Sequence, residues 1–253
     1  MKERVQVLCR VKPARGANGL SVTETDTVAV ASETDRSGPR SWTFDGVFDK
    51  DAKQAAVYEE AGQPILDAVL QGYNGTILAY GQTGSGKTHT LLHKGASPDE
   101  AGLVPRLVAA LFVAIGCDVR HVYRVKASFA QIYNEQIDDL LKPRNTNLRV
   151  RASAGGGAAV DGLSCTVCKS AEQLLSLFEA GRRHLVYAET KMNKSSSRSH
   201  AVLQIKVARR LRVLDAGGAG SYTTTMQTGK LTLVDLAGSE RVKRSGAGEN
   251  EAR

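Results

Sequence analysis

Eight consecutive residues, Gly81-Gln82-Thr83-Gly84-Ser85-Gly86-Lys87-Thr88, fit the pattern G-x-x-x-x-G-K-[ST] in full. Glycines at these spacings let the backbone curl until successive N–H groups face phosphate oxygens. Lys87 then offers a cation to the outer phosphates, and the Thr88 hydroxyl can ligate Mg²⁺. The chemistry implied is the binding of a nucleotide through its phosphates. A second feature bears on whether that nucleotide is cleaved. Leu231-Thr232-Leu233-Val234-Asp235 is an apolar run ending in a carboxylate, suited to holding Mg²⁺ through a water. Gly238 follows three residues later, where its N–H could report on a terminal phosphate. A third feature is the hydroxyl-rich run Asn193-Lys194-Ser195-Ser196-Ser197-Arg198-Ser199-His200. Alone it reads as solvated linker; beside the other two it reads as part of the same site.

These residues need elements that hold them. Thr76 to Tyr80 is a compact apolar run, expected to be a buried strand feeding the glycine-rich loop. Before it, Val57 to Val69 carries helical periodicity, with an interruption or kink expected at Pro64. Val5 to Val11 alternates as a first strand and stops at Pro13. After the loop, Pro105 opens a helix with Leu107, Val108, Leu111, Phe112 and Ile115 on one stripe. Tyr123 to Tyr133 alternates as a strand, and Lys142 to Ala159 is a basic, then glycine-rich, surface excursion. Ser170 with Gln173 forms a capping box for a helix bearing Leu174, Leu175 and Phe178. Ala201–Val213 and Thr225–Leu236 are the arms of a long antiparallel hairpin. Strands interleaved with helices predict an α/β domain with one central, mostly parallel twisted sheet flanked by helices.

Composition narrows the class. The 253 residues are 42% hydrophobic and 24% charged, ordinary for a core-forming domain. No apolar run approaches the roughly 18 residues that cross a bilayer, and the N-terminus lacks the apolar stretch of a secretory signal. The formal charge of +8 favours an acidic partner without choosing one. Cys165-Thr-Val-Cys168 has no second pair to complete a zinc site and reads as small residues in a strand.

The phosphate loop within Gly72 to Thr83, the run Ser196-Ser197-Arg198-Ser199-His200, and Asp235-Leu236-Ala237-Gly238-Ser239-Glu240, in this order, resemble the kinesin motor domain. Ile132-Tyr133-Asn134-Glu135 is a further shared signature, and the similarity runs from Arg10-Val11-Lys12-Pro13 to Arg253. The resemblance implies a P-loop NTPase fold over 1–253, binding ATP or ADP with Mg²⁺, and microtubule-stimulated ATP hydrolysis that drives force production. It implies that Arg10, Lys12, Pro13 and His89 frame the adenine; Lys12 replaces a second arginine, keeping charge but losing planar stacking. It places Ser196 near the attacking water, Ser197 near Mg²⁺ and the γ-phosphate, and Gly238 as the second sensor. It pairs Arg198 with Glu240 and lets Glu240 take up a proton through a second water.

The implied partner is the acidic microtubule, in the cytoplasm, with no nucleic acid and no membrane span. Candidate contacts are Lys142, Arg144, Arg149 and Arg151 in the excursion, then Arg241, Lys243 and Arg244. Against the family pattern, the C-terminal microtubule-binding helices and neck linker are expected to be missing, and any dimerisation would use regions outside this chain. Arg10-Val11-Lys12-Pro13, Gly162-Leu163-Ser164 and Met192-Asn193-Lys194 resemble the kinesin-9 branch, which would imply a cilium or flagellum axoneme. Two rivals stand. A GTPase needs Asn-Lys-x-Asp, whereas Asn193-Lys194 runs into Ser195-Ser196. A kinesin-like tubulin binder would hold nucleotide with little turnover.

Overall fold

The computed structural model describes residues 5–13, 19–31, 39–93, 95, 97–152, 157–191, 198–214, 220–222 and 225–240. In chain order the strands begin with β1 (Leu8–Arg10), β2 (Leu20–Val22), β3 (Thr27–Val30), β4 (Arg40–Thr43) and β5 (Gly46–Phe48). Helix α1 (Gln54–Val57) passes through a π turn over Tyr58–Gly62 into α2 (Gln63–Leu70). Strand β6 (Asn74–Ala79), helix α3 (Lys87–Leu92), helix α4 (Leu103–Cys117) and the long strand β7 (His121–Tyr133) follow. Next come β8 (Gln136–Asp139), β9 (Val150–Ala152), β10 (Ala158–Val160), β11 (Thr166–Cys168) and helix α5 (Ala171–Lys191). The last strands are β12 (Ser199–Leu214), β13 (Gly220–Tyr222) and β14 (Gln227–Asp235).

The main sheet has the order β11-β7-β12-β14-β6, with β8 beside β7 and β13 beside β12. The expected α/β architecture is present, but the sheet is mixed rather than mostly parallel. Only β14 and β6 run together within it; β11–β7, β7–β12 and β12–β14 are antiparallel. The reason is local. β12 and β14 are the two arms of one hairpin, and a hairpin cannot be parallel.

Register decides where the site lies. Asp235 is level with Ala79 at the end of β6 and with Ala201 near the start of β12. The phosphate loop, the end of β14 and the start of β12 therefore meet at one end of the sheet. Alternation does the rest. Leu231, Leu233 and Asp235 share one buried face of β14, and Leu203, Ile205 and Val207 do so on β12. Leu91 and Leu92 of α3, Leu107 and Leu111 of α4, and Phe178 of α5 belong to the core that this face joins. The Phe129 and Phe178 rings meet at 5.7 Å between centroids.

Three expectations need correction. The run ending at Tyr80 is not a buried strand: Leu78 is 56% and Tyr80 77% exposed. β6 ends the strand order of the sheet, so among the described residues no further strand pairs with its outer edge. The first strand is only Leu8–Arg10, and Val5 and Val7 lie outside it, exposed. Pro64 does not kink the helix at its own position. It sits in the first turn of α2, where its missing N–H is harmless, and the irregularity is the π turn before it. The capping box holds in part. Ser170 Oγ accepts the Gln173 N–H at 3.3 Å, while Gln173 Oε1 reaches Lys169 N–H at 2.9 Å.

Candidate active site

The loop from Gly81 to Gly86 leaves β6 and closes into α3 with glycines at positive φ, +77° at Gly84 and +104° at Gly86. Gly86 is the N-cap of α3, a left-handed position that a side chain would strain. Gln82, Thr83, Gly84, Thr88 and His89 are exposed, so the loop opens to solvent. Lys87 folds back over it. Its Nζ donates to the carbonyls of Gly81 at 2.8 Å and Gln82 at 2.9 Å. Ser85 N–H closes the turn onto the Gln82 carbonyl at 3.1 Å.

Asp235 reaches this loop from β14. The Thr88 hydroxyl donates to Asp235 Oδ2 at 2.6 Å, joining the residues that the motifs assign to Mg²⁺. Asp235 is 8% exposed, and among the described residues its buried Oδ1 has no hydrogen-bond partner. An orphaned, ionisable oxygen at that depth is costly, and a cation would satisfy it. Burial pushes the Asp235 carboxyl up, with the Thr88 hydrogen bond and Lys87 opposing it. The donor set fits a hard divalent ion.

The segment after Asp235 lies directly on the phosphate loop. Ser239 N–H donates to Gly81 O at 3.2 Å, and Leu236 N–H to Ala79 O at 3.2 Å. Glu240 accepts from the Thr83 N–H at 2.8 Å and from the Thr83 hydroxyl. Those bonds from Thr83 hold the Glu240 carboxyl below its usual range. A Cβ on Gly238 would run into both Glu240 carboxylate oxygens and the Thr83 hydroxyl, so a larger residue there requires those side chains to move. Ala237 N–H donates to His200 Nδ1 at 3.0 Å, which ties this segment to the start of β12.

The expected ion pair of Arg198 with Glu240 is not formed. Among the described residues Glu240 is engaged by Thr83 instead, and Arg198 stands exposed one residue before β12. Ser196 and Ser197, and likewise Arg241, Lys243 and Arg244, lie outside the described residues.

The residues expected around the adenine divide into two groups. Lys12 Nζ donates to Gly84 O at 2.7 Å and so bridges to the phosphate loop, while Pro13 is exposed in extended chain beside it. Arg10 turns inward. Its guanidinium donates to Gln54 Oε1 at 2.9 Å, Thr90 Oγ1 at 2.8 Å and Ala52 O at 3.4 Å. His89 is exposed and stacks on His93 at 4.9 Å between ring centroids. Partial burial, Arg10 and His93 together push its imidazole below the usual histidine pKa.

The basic excursion is a surface hairpin of β9 and β10. Lys142, Arg144, Arg149 and Arg151 are all exposed, and Arg151 pairs with Asp161 at 2.9 Å. Its base is held by Asp139, which sequence reasoning passed over. Asp139 is 1% exposed and accepts the N–H groups of Leu141 at 2.9 Å, Lys142 at 3.1 Å and Ser164 at 2.8 Å. Asn145 Nδ2 adds a bond at 3.2 Å. Gln54 and Thr90 were missed too, since a glutamine at a helix start and a threonine after a histidine carry no motif.

Known proteins resemble this chain in sequence and in overall fold. KIN-7O, a kinesin-like protein of Arabidopsis thaliana, is 36% identical over 248 residues, 97% of this chain and 19% of its own length. Klp68D of Drosophila melanogaster is 35% identical over 245 residues, 97% of this chain and 29% of its own. The chain thus spans less than a third of the length of either relative. The solved structure of a fast kinesin, described for its ATPase mechanism and interactions with microtubules, superposes with a TM-score of 0.85. It is 34% identical and covers 96% of this chain, which in turn covers 68% of it. These relatives do not confirm the kinesin-9 likeness. The family model of the kinesin motor domain matches residues 4–253, and the chain belongs to that family.

Proposed function

We propose that residues 1–253 form a motor domain that hydrolyses ATP and couples the hydrolysis to microtubule binding and force generation. The observation that carries this reading is the direct seating of the segment after Asp235 on the phosphate loop. Glu240 occupies the Thr83 N–H, one of the loop donors the motif assigns to phosphate. A triphosphate entering the loop competes for that donor, so nucleotide binding and release of Glu240 are coupled. Such an element has two states, which is what a nucleotide switch requires.

In this reading Lys87 leaves the Gly81 and Gln82 carbonyls to bind the β and γ phosphates, and the loop N–H groups neutralise the remaining charge. Thr88, Ser197 and Asp235, the last through a water, would hold Mg²⁺, which supplies charge neutralisation at the bridging oxygens. Ser196 orients the attacking water, and Gly238 N–H senses the γ-phosphate. Glu240, freed from Thr83, pairs with Arg198 and takes the water's proton through a second water. Lys12, Pro13 and His89 face the base. The exposed Lys142, Arg144 and Arg149, with Arg241, Lys243 and Arg244, meet the acidic lattice. The protein would then work in the cytoplasm on the microtubule cytoskeleton, and the kinesin-9 likeness would place it at an axoneme.

Phosphate release measured with ATP and with GTP, with and without polymerised tubulin, tests this. The proposal predicts ATP hydrolysis that tubulin accelerates and a much weaker response to GTP. Nucleotide binding with no turnover under any condition would favour the tubulin-binding alternative.

A further inference from the structure

Gln54 is a polar side chain at the first position of α1, yet it is only 5% exposed. A buried amide is expensive unless its donors and acceptor are met. Here all of them are directed. Oε1 accepts from Arg10 Nη1 at 2.9 Å, and Nε2 donates to the His89 carbonyl at 3.0 Å. Nε2 also faces His89 Nδ1 at 3.4 Å. The guanidinium can only donate, so it fixes which end of the amide carries oxygen. The nitrogen must then point at His89.

The His89 carbonyl falls in the last turn of a six-residue helix, where carbonyls lack helical partners. Gln54 supplies the missing donor. Arg10 extends the same clamp one residue on, through the Thr90 hydroxyl at 2.8 Å. His93 closes the far side of the imidazole by stacking. The buried amide therefore controls a side chain that is itself exposed, two residues after Lys87.

We propose that Gln54 is a positioning residue for the nucleobase. It locks the backbone and ring orientation of His89, so that the imidazole presents a fixed face to the base of a nucleotide held by the phosphate loop. This rests on the nucleotide-site reading above. It makes Arg10 the brace that aims Gln54 rather than a direct contact with the base.

The test separates base from phosphate. Calorimetric Kd values for ATP and for inorganic tripolyphosphate, which has no base, are measured with Mg²⁺ on wild type, Gln54→Ala, Gln54→Glu and His89→Ala. Gln54→Glu keeps an acceptor for Arg10 and loses the donor to His89, and it serves as the test variant if Gln54→Ala does not fold. The expected result is an ATP Kd raised about tenfold in both Gln54 variants and in His89→Ala, the scale of a lost ring–base stack. Tripolyphosphate Kd should change less than about twofold, within the scatter of remote substitutions. Combining Gln54→Glu with His89→Ala should weaken ATP no further, since both remove one interaction. Parallel losses for ATP and tripolyphosphate would make Gln54 a structural brace only, and an unchanged ATP Kd in Gln54→Glu would also overturn the proposal. A wild type that binds neither ligand would instead refute the nucleotide site itself.

Discussion

A side chain at Gly238 would meet the Glu240 carboxylate and the Thr83 hydroxyl, which close on it in this structure. Gly238→Ala therefore pushes Glu240 off Thr83 and displaces the N–H assigned to the γ-phosphate. The phosphate loop itself, with Lys87 on its carbonyls, is left intact. The expected outcome is an ATP Kd no weaker than that of wild type, since Glu240 no longer competes for the Thr83 N–H, with kcat lowered about 100-fold, the usual loss for one transition-state donor. Stopped-flow binding and steady-state phosphate release measure the two separately. Normal turnover in this variant would remove Gly238 from the sensing role. Asp235 makes a related point about charge. Among the described residues its Oδ1 has no partner and burial disfavours its charged form, so a bound cation would stabilise the carboxylate.

Between the active end of the sheet and the basic hairpin, Asp139 is the anchor of an element. Burial pushes its carboxyl up, but hydrogen bonds from Ser164, Leu141 and Asn145 outweigh that and hold it low. A carboxylate whose pKa is depressed on folding contributes stability above its unfolded pKa, which is about 3.9, and loses it as the pH falls through that value and below. Asp139→Asn cannot accept the same set of bonds. We expect Tm to fall by roughly 5 to 10 °C at pH 7, from about 2 to 3 kcal/mol. The difference from wild type should shrink below about pH 4, and differential scanning fluorimetry across pH checks the sign. At this scale the sequence showed much of the design. The hairpin of β12 and β14, the helix α4 and the strand–loop–helix around Lys87 follow from periodicity and turn residues. What escaped was whatever depends on neighbours far along the chain. Strand direction in the sheet, the exposed flank of β6 at Leu78, the inward turn of Arg10 and the amide of Gln54 are all set by tertiary packing. The choice of Thr83 over Arg198 as the partner of Glu240 is of the same kind.

Across the whole molecule the formal charge is +8, and exposed cations gather on the hairpin of β9 and β10 and the turn before it. Arg149 is exposed, whereas Arg151 is already paired with Asp161. Microtubule co-sedimentation should weaken several-fold between about 0.01 M and about 0.15 M salt as the screening length shortens. Arg149→Glu should weaken it more than Arg151→Glu, because the latter removes a cation that is already partly neutralised. Binding that ignores salt would rule out an electrostatic interface. The claim beneath all of this is that one end of the sheet grips a triphosphate and that the segment after Asp235 leaves Thr83 when it does. A crystal structure with a non-cleavable ATP analogue and Mg²⁺ tests it most directly. The account predicts phosphates on Lys87 and the Thr83 N–H, Gly238 N–H on the terminal phosphate, and Glu240 released from Thr83. An analogue bound while Glu240 still holds the Thr83 N–H, or bound away from Lys87, would contradict it.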